Sequence, residues 1–243
     1  MEKLGNQVAV VTGASRGIGR AIAFGLAQQG VKLCLVARTP ETLEEVATIA
    51  RKTSPQVIIY PTDLTVDENI HQLKTKLADN FSQVDILVHS AGFFELGTMQ
   101  NGSVETFDAL FRANVHAPYL LTQTLLPMVL ATKGQIVFIN SSSILRAKAN
   151  MGQFAATQHA LKAITDSLRE EVNIEEVRVL SFYPGRTATP RQEMIHSLEG
   201  KPYNPERLMQ PEDVADVVIN ALSLPRTTEV TDIHARPFLK PIN

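Results

Sequence analysis

Three glycines after a short apolar run give the clearest chemical signal in the sequence. Residues 8–11 are valine and alanine only, which is typical of a strand buried on both faces of a parallel sheet. Gly13, Gly17 and Gly19 follow, and apolar residues then recur at helical spacing. Glycines let a phosphate approach the backbone, and the free N–H groups of a helix N-terminus attract its charge. The stretch therefore predicts a strand, a phosphate-binding turn and a helix, although the glycines alone also fit an ordinary turn.

Two arginines near this turn bear on which nucleotide would bind. The second predicted strand ends at Ala37, where an acidic residue would accept hydrogen bonds from an adenosine ribose. Arg38 follows it instead, and Arg16 lies within the glycine turn. Guanidinium groups match phosphate geometry bidentately, so the pair favours NADP(H), with its 2′-phosphate, over NAD(H). Either arginine alone would also fit a solvated surface position.

The order of several short motifs resembles the short-chain dehydrogenase/reductase superfamily over nearly the whole chain. Thr-Gly-x-x-x-Gly-Ile-Gly begins at Thr12, Ala91-Gly92 follows the fourth predicted strand, and Pro184-Gly185 follows the sixth. The superfamily usually has Asn before x-Ala-Gly, where this chain has His89. The resemblance implies an oxidoreductase fold that binds NADP(H) through Gly13, Ser15, Arg16, Gly17, Ile18, Gly19, Arg38, Asp63, Leu64, Ala91, Gly92, Gln158, Pro184, Gly185, Thr187 and Thr189.

The resemblance also implies a Ser, a Tyr thirteen positions later and a Lys four further on as catalytic residues, assisted by an Asn in the preceding helix. Ser141 and Asn114 match, but Phe154 and Gln158 stand at the Tyr and Lys positions. Phe154 has no titratable proton, and Gln158 is neutral. General acid–base catalysis contributes about 100- to 10,000-fold to rate, so we expect carbonyl reduction by the family mechanism to be severely impaired.

Three hypotheses for the function follow from these replacements. The first is an NADP(H)-binding oxidoreductase whose hydride chemistry is impaired or rerouted. The second is a non-redox protein, either an NADPH-responsive binding or scaffold protein or a subunit paired with an active homologue. The third is a lyase or cyclase that uses the same pocket. His89, His116 and His159 are the titratable candidates for a substitute proton donor, and none has a convincing position. Both natural and engineered replacement of the two residues fit the sequence.

Alternating apolar strands and helical segments predict the scaffold that must position these residues. We expect a single α/β domain over residues 1–243. The resemblance implies a Rossmann-type doubly wound parallel sheet of seven strands in the order 3-2-1-4-5-6-7. The pattern includes one long helix over residues 103–131, interrupted by Pro118, and a last strand over 229–235. The polar, proline-punctuated segment 187–210 is typical of a mobile lid over a substrate.

Composition excludes several classes of protein. The 243 residues include 23 Lys and Arg against 25 Asp and Glu, so no net field points to nucleic acid or an anionic membrane. Cys34 is the only cysteine and lies in an apolar run, which indicates a buried strand residue. No signal-peptide pattern or membrane-spanning run is present, so we expect a cytoplasmic protein with a small-molecule substrate and no metal. The resemblance implies a homodimer or homotetramer.

Overall fold

Strands and helices alternate along the part of the chain, residues 4–239, that the computed structural model describes. The strands are β1 (Val8–Thr12), β2 (Lys32–Ala37), β3 (Val57–Pro61), β4 (Ile86–His89), β5 (Gln135–Ile139), β6 (Arg178–Pro184) and β7 (Asp232–Ala235). The α-helices are α1 (Gly17–Gln28), α2 (Pro40–Ala50), α3 (Asp67–Asn80), α4 (Val104–Phe111), α5 (Ala117–Ala131), α6 (Gly152–Val172), α7 (Pro190–Leu198) and α8 (Pro211–Leu222).

All seven strands form one parallel sheet in the order β3-β2-β1-β4-β5-β6-β7. The fold class and the strand order predicted from the sequence are therefore confirmed. In the central register, Val10 of β1 faces Cys34 of β2 on one side and Leu87 of β4 on the other. The chain order reverses at β1, and a crevice opens there at the carboxyl ends of the strands, where ligands of doubly wound sheets bind.

The strands are apolar on both faces because helices cover both sides of the sheet. Ala9 and Val11 of β1 belong to the core under α1, α2 and α8, whereas Val8 and Val10 belong to the core under α3, α5 and α6. Successive side chains of a strand point to opposite faces, so four consecutive apolar residues fill two separate cores. Cys34 is buried in the second core, as the sequence predicts.

The long helix predicted over residues 103–131 is present, and its irregular part lies just before Pro118. A π-turn over Arg112–His116 joins α4 to α5, and the N–H of Ala117 bonds to the carbonyl of Arg112, one residue further back than in an α-helix. Pro118 has no amide hydrogen for the carbonyl of Asn114, so a regular turn could not be completed here. Pro118 itself is buried within α5.

One further boundary differs from the sequence prediction. Segment 187–210 contains α7, whose residues Gln192 and His196 are buried. The last strand begins at Asp232 instead of residue 229. Residues 1–3 and 240–243 of the predicted domain lie outside the described residues. Within 4–239, no helix combines the length and apolar character needed to cross a membrane.

Candidate functional site

A cavity of about 610 Å³ opens at the carboxyl ends of the strands. The cavity is lined by every residue that the sequence analysis assigns to the nucleotide or catalytic site, except Gly19. Lining residues from distant parts of the chain include Gly13, Ser15, Arg16, Gly17, Ile18, Arg38, Asp63, Leu64, Ala91, Gly92, Asn114, Ser141, Phe154, Gln158, Pro184, Gly185, Thr187 and Thr189. The fold therefore gathers these predicted positions around one opening.

The glycine turn has the geometry of a close approach between two backbones. Gly13 and Gly17 have positive φ angles of 66° and 57°, which favour residues without a side chain. A Cβ on Gly13 would lie 2.8 Å from the backbone of Ser90 and Ala91, and a Cβ on Gly19 would overlap the carbonyl of Gly13. Gly19 thus lies behind the turn and packs α1 against it, while Gly13 and Gly17 form the cavity wall.

Thr12 joins the two strands that flank the crevice, a role that the sequence reasoning missed. Its hydroxyl donates a hydrogen bond to the carbonyl of Val88 at 3.2 Å and accepts bonds from the N–H groups of Ser90 and Ala91 at 3.0 and 3.2 Å. These bonds fix the loop after β4 next to the glycine turn. The signal was present in the motif, since Thr12 directly precedes Gly13.

Arg16 and Arg38, which follow β1 and β2, both line the cavity. Burial opposes ionisation of Asp63, but hydrogen bonds from the N–H and hydroxyl of Thr65, at 2.9 and 2.7 Å, and the charge of Arg38 lower its pKa overall. Asp63 is therefore an ionised group that also stabilises the turn before α3.

Ser141 follows β5 and is held by its neighbours. The Oδ1 atom of Asn140 accepts the N–H of Ser141 at 2.7 Å, and the Oγ atom of Ser141 accepts the N–H of Ser143 at 3.1 Å. Asn140 also donates a hydrogen bond to the carbonyl of Gln158 at 3.2 Å, which ties β5 to α6. The positioning role of Asn140 could not be inferred from its type alone.

Phe154 lies in a small apolar cluster on one wall of the cavity. Its ring meets that of Phe94 edge to face, with centroids 4.8 Å apart, and Leu110 and Met151 complete the contact. The side chain is 7% exposed. This position therefore presents a hydrocarbon surface to the cavity, without a proton to donate or accept.

Gln158, one helical turn after Phe154, belongs to a buried chain of hydrogen bonds. Its Nε2 atom donates to the hydroxyl of Thr157 at 3.3 Å, and the Nδ2 atom of Asn114 donates to the same oxygen at 3.1 Å. Thr157 in turn donates to the carbonyl of Phe154 at 2.7 Å. Thr157 is fully buried and was missed by the sequence reasoning, which treated it only as a residue inside the motif.

The amide of Asn114 is also bonded to the loop after β4. Its Oδ1 accepts the N–H of Phe93 at 2.7 Å, and its Nδ2 donates to the carbonyl of Phe93 at 2.9 Å. The π-turn places this side chain inward, where it is 4% exposed. Asn114 therefore connects the long helix, the cavity edge and Thr157.

None of the three histidines considered as substitute proton donors has a suitable place. Burial lowers the pKa of His89 to about 3, and its ring stacks on Phe138 while Nε2 pairs with the hydroxyl of Thr122 at 2.9 Å. His116 pairs with Asp67 at 3.0 Å, and neither His116 nor His159 lines the cavity. His89 is thus a neutral structural residue at the cavity edge.

The turn after β6 forms the opposite wall. The N–H of Gly185 bonds to the carbonyl of Ala235 at 2.7 Å, and the hydroxyl of Thr187 donates to the carbonyl of Gly185 at 3.1 Å. Thr189 caps α7 by accepting the N–H of Gln192 at 3.2 Å. Hydrogen bonds therefore connect this wall from β7 to the first turn of α7.

A doubly wound sheet with a glycine turn and a crevice at its topological switch point defines a nucleotide-binding α/β protein. Comparisons with known proteins then specify the family. A family model described as short chain dehydrogenase matches residues 7–199, so the chain belongs to the short-chain dehydrogenase family.

Relatives of the whole chain agree with this assignment. An uncharacterised oxidoreductase of Staphylococcus epidermidis is 33% identical over 238 residues, which cover 98% of this chain and 100% of the relative. An alcohol dehydrogenase from Thermococcus sibiricus, complexed with 5-hydroxy-NADP, is 27% identical with a TM-score of 0.86 and coverage of 98% and 99%. L-Sorbose reductase from Gluconobacter frateurii, complexed with NADPH and L-sorbose, is 25% identical with a TM-score of 0.88 and full coverage of both chains.

Proposed function

We propose that this protein binds NADP(H) in the cavity and carries out hydride transfer only weakly, because the proton-handling residues of the family are replaced. The observation that carries the proposal is a glycine turn suited to a phosphate, in the same cavity as Phe154 and Gln158. The second ligand of the cavity is a small organic molecule, and segment 187–210 acts as the lid over it.

The nucleotide half supports NADP(H) through three features of this chain. The glycine turn leaves space where a Cβ on Gly13 would collide, and the start of α1 offers its free N–H groups to a diphosphate. Arg16 and Arg38 supply charge for a 2′-phosphate. Solved relatives complexed with NADPH and with 5-hydroxy-NADP agree with this choice. The bound nucleotide would supply hydride, whereas the protein would have to supply the proton.

The substrate half lacks a group suited to proton transfer. Carbonyl reduction delivers hydride to carbon and requires a proton at oxygen, which a tyrosine provides in relatives with the usual motif. Among the described residues that line the cavity there is no tyrosine, and the one lysine, Lys148, lies on an exposed loop. Ser141 remains able to hold a carbonyl oxygen by a hydrogen bond. Binding would therefore persist while the chemical step slows.

A non-redox role is the second candidate, and the hydrogen bonds that Asn114 and Gln158 both donate to the hydroxyl of Thr157 favour it. These bonds involve no charged side chain, as expected of a site that only binds. Such a protein would respond to NADPH or assemble with an active homologue. A homodimer or homotetramer remains our expectation for either role.

Two measurements on the full chain separate these functions. First, fluorescence titration with NADPH should show saturable binding, and absence of binding would contradict the proposal. Second, NADPH oxidation on a panel of ketones and sugars should be close to background for the unmodified protein. Fast reduction of a simple carbonyl would contradict the impairment.

The sharpest test restores the proton-handling pair. The double variant Phe154→Tyr with Gln158→Lys should raise NADPH oxidation by about 100-fold or more, because acid–base catalysis contributes about 100- to 10,000-fold. The matched control makes the same chemical changes outside the cavity, at Phe111 and Gln72, and should change nothing. No gain in the double variant, with NADPH binding intact, would favour the non-redox role.

A further inference from the structure

Arg191, in the first turn of α7, reaches across the cavity to the loop after β4. Its Nη2 atom donates a hydrogen bond to the carbonyl of Gly92 at 2.5 Å. Its Nη1 atom would lie 3.9 Å from a Cβ placed on Gly92. The guanidinium therefore connects the lid segment to the loop at the carboxyl end of β4, next to the crevice between β1 and β4.

The start of α7 also lies close to the glycine turn. A Cβ on Gly17 would be 3.1 Å from the Cγ2 atom of Thr189, the residue that caps α7. Arg191 is two residues further along and lines the same cavity as Gly17. Its charge is therefore held near the N-terminus of α1, where backbone N–H groups already favour an anion.

No ion pair to Arg191 is found among residues 4–239. The two carboxylates that line the cavity are bonded elsewhere, Asp63 to Thr65 and Glu199 to Arg186. Arg191 is an exposed residue that lines the cavity, and partial desolvation of its guanidinium, followed by the charge of Arg16, lowers its pKa. Two cations thus face one space without a carboxylate between them, an arrangement that an anionic ligand would stabilise.

We propose that Arg191 binds the diphosphate of the nicotinamide dinucleotide from the lid side, exchanging the carbonyl of Gly92 for phosphate oxygens. This inference rests on the NADP(H) site proposed above. Arg16 and Arg38 would recognise the 2′-phosphate, which only NADP(H) carries. Arg191 would recognise the diphosphate, which NADPH and NADH share, and would draw α7 toward the nucleotide.

Measuring the affinity of variants for NADPH and for NADH tests whether Arg191 and Arg16 recognise different phosphates. Arg191→Gln should weaken binding of NADPH and of NADH by a similar factor of about 10 to 100, the range expected for a lost charge-assisted hydrogen bond. Arg16→Gln should weaken the binding of NADPH and leave the binding of NADH unchanged. Adenosine 2′,5′-bisphosphate lacks the diphosphate bridge, so Arg191→Gln should affect its binding much less.

Two controls separate this role from a general effect of charge or folding. Arg20→Gln removes an exposed arginine on α1 outside the cavity and should leave both affinities unchanged. Arg191→Lys keeps the charge and should recover part of the lost affinity. Unchanged binding of both nucleotides by Arg191→Gln, or a loss confined to NADPH, would overturn the assignment while leaving the proposed function intact. Failure of the unmodified protein to bind either nucleotide would overturn both.

Discussion

His89 should make the stability of this protein fall as the pH drops from 7 toward 5. Burial lowers the pKa of His89 from 6.5 to about 3, so the native state keeps the ring neutral while the unfolded chain takes up a proton. The unfolded state then binds more protons, and the free energy of unfolding falls with decreasing pH. At about 1.4 kcal/mol per pKa unit, His89 alone lowers the free energy of unfolding by about 2 kcal/mol between pH 7 and pH 5.

The assay is urea unfolding of the full chain and of His89→Asn at several pH values. The variant has no titrating ring, so its stability should fall about 2 kcal/mol less over the same interval. With m near 2–3 kcal/mol per molar urea, the difference corresponds to about 0.7–1 M in midpoint. His71→Asn, at an exposed position on α3, is the matched control and should follow the unmodified protein. Parallel curves for all three proteins would refute the burial argument, since His89 would then titrate alike in both states.

Two further predictions concern the core and the glycine turn. Burial raises the pKa of the Cys34 thiol to about 12, so iodoacetamide should label this thiol in urea but not in the native protein. Labelling at equal rates in both states would contradict the burial of Cys34. Gly19→Ala should destabilise by about 1–3 kcal/mol in urea unfolding, because its Cβ overlaps the Gly13 carbonyl. Gly152→Ala, which meets nothing within 4 Å, should be neutral or stabilising by up to about 1 kcal/mol, and similar losses in both variants would contradict the steric explanation.

The strands could be predicted because their signal is local. Residues 8–11 are apolar without interruption, and only a strand covered on both faces satisfies all four of them. The family resemblance then supplied the strand order, which no single segment encodes. Gly13 could be predicted from a local signal as well, since a turn that approaches another backbone requires a residue without a Cβ.

The features that were missed depend on contacts between distant segments. Thr157 reads as an ordinary helical residue until the π-turn brings Asn114 within 3.1 Å of its hydroxyl. The π-turn lies just before Pro118, whose missing amide hydrogen prevents a regular helical turn there. The polar composition of segment 187–210 gave no sign of helix α7, in which Gln192 and His196 are buried.

The side chains present at positions 154 and 158 are physically consistent with each other. A hydrocarbon ring at Phe154 needs no hydrogen-bond partner and adds to the cluster with Phe94 and Leu110. A neutral amide at Gln158 needs no counter-charge and is satisfied by the hydroxyl of Thr157. A lysine at position 158 would place an ammonium where the glutamine is 5% exposed, with no phenolate to face, which is costly for a charge. An uncharged side chain at position 158 therefore suits a neighbour that has no acidic proton, and the two residues fit one pocket without a charge.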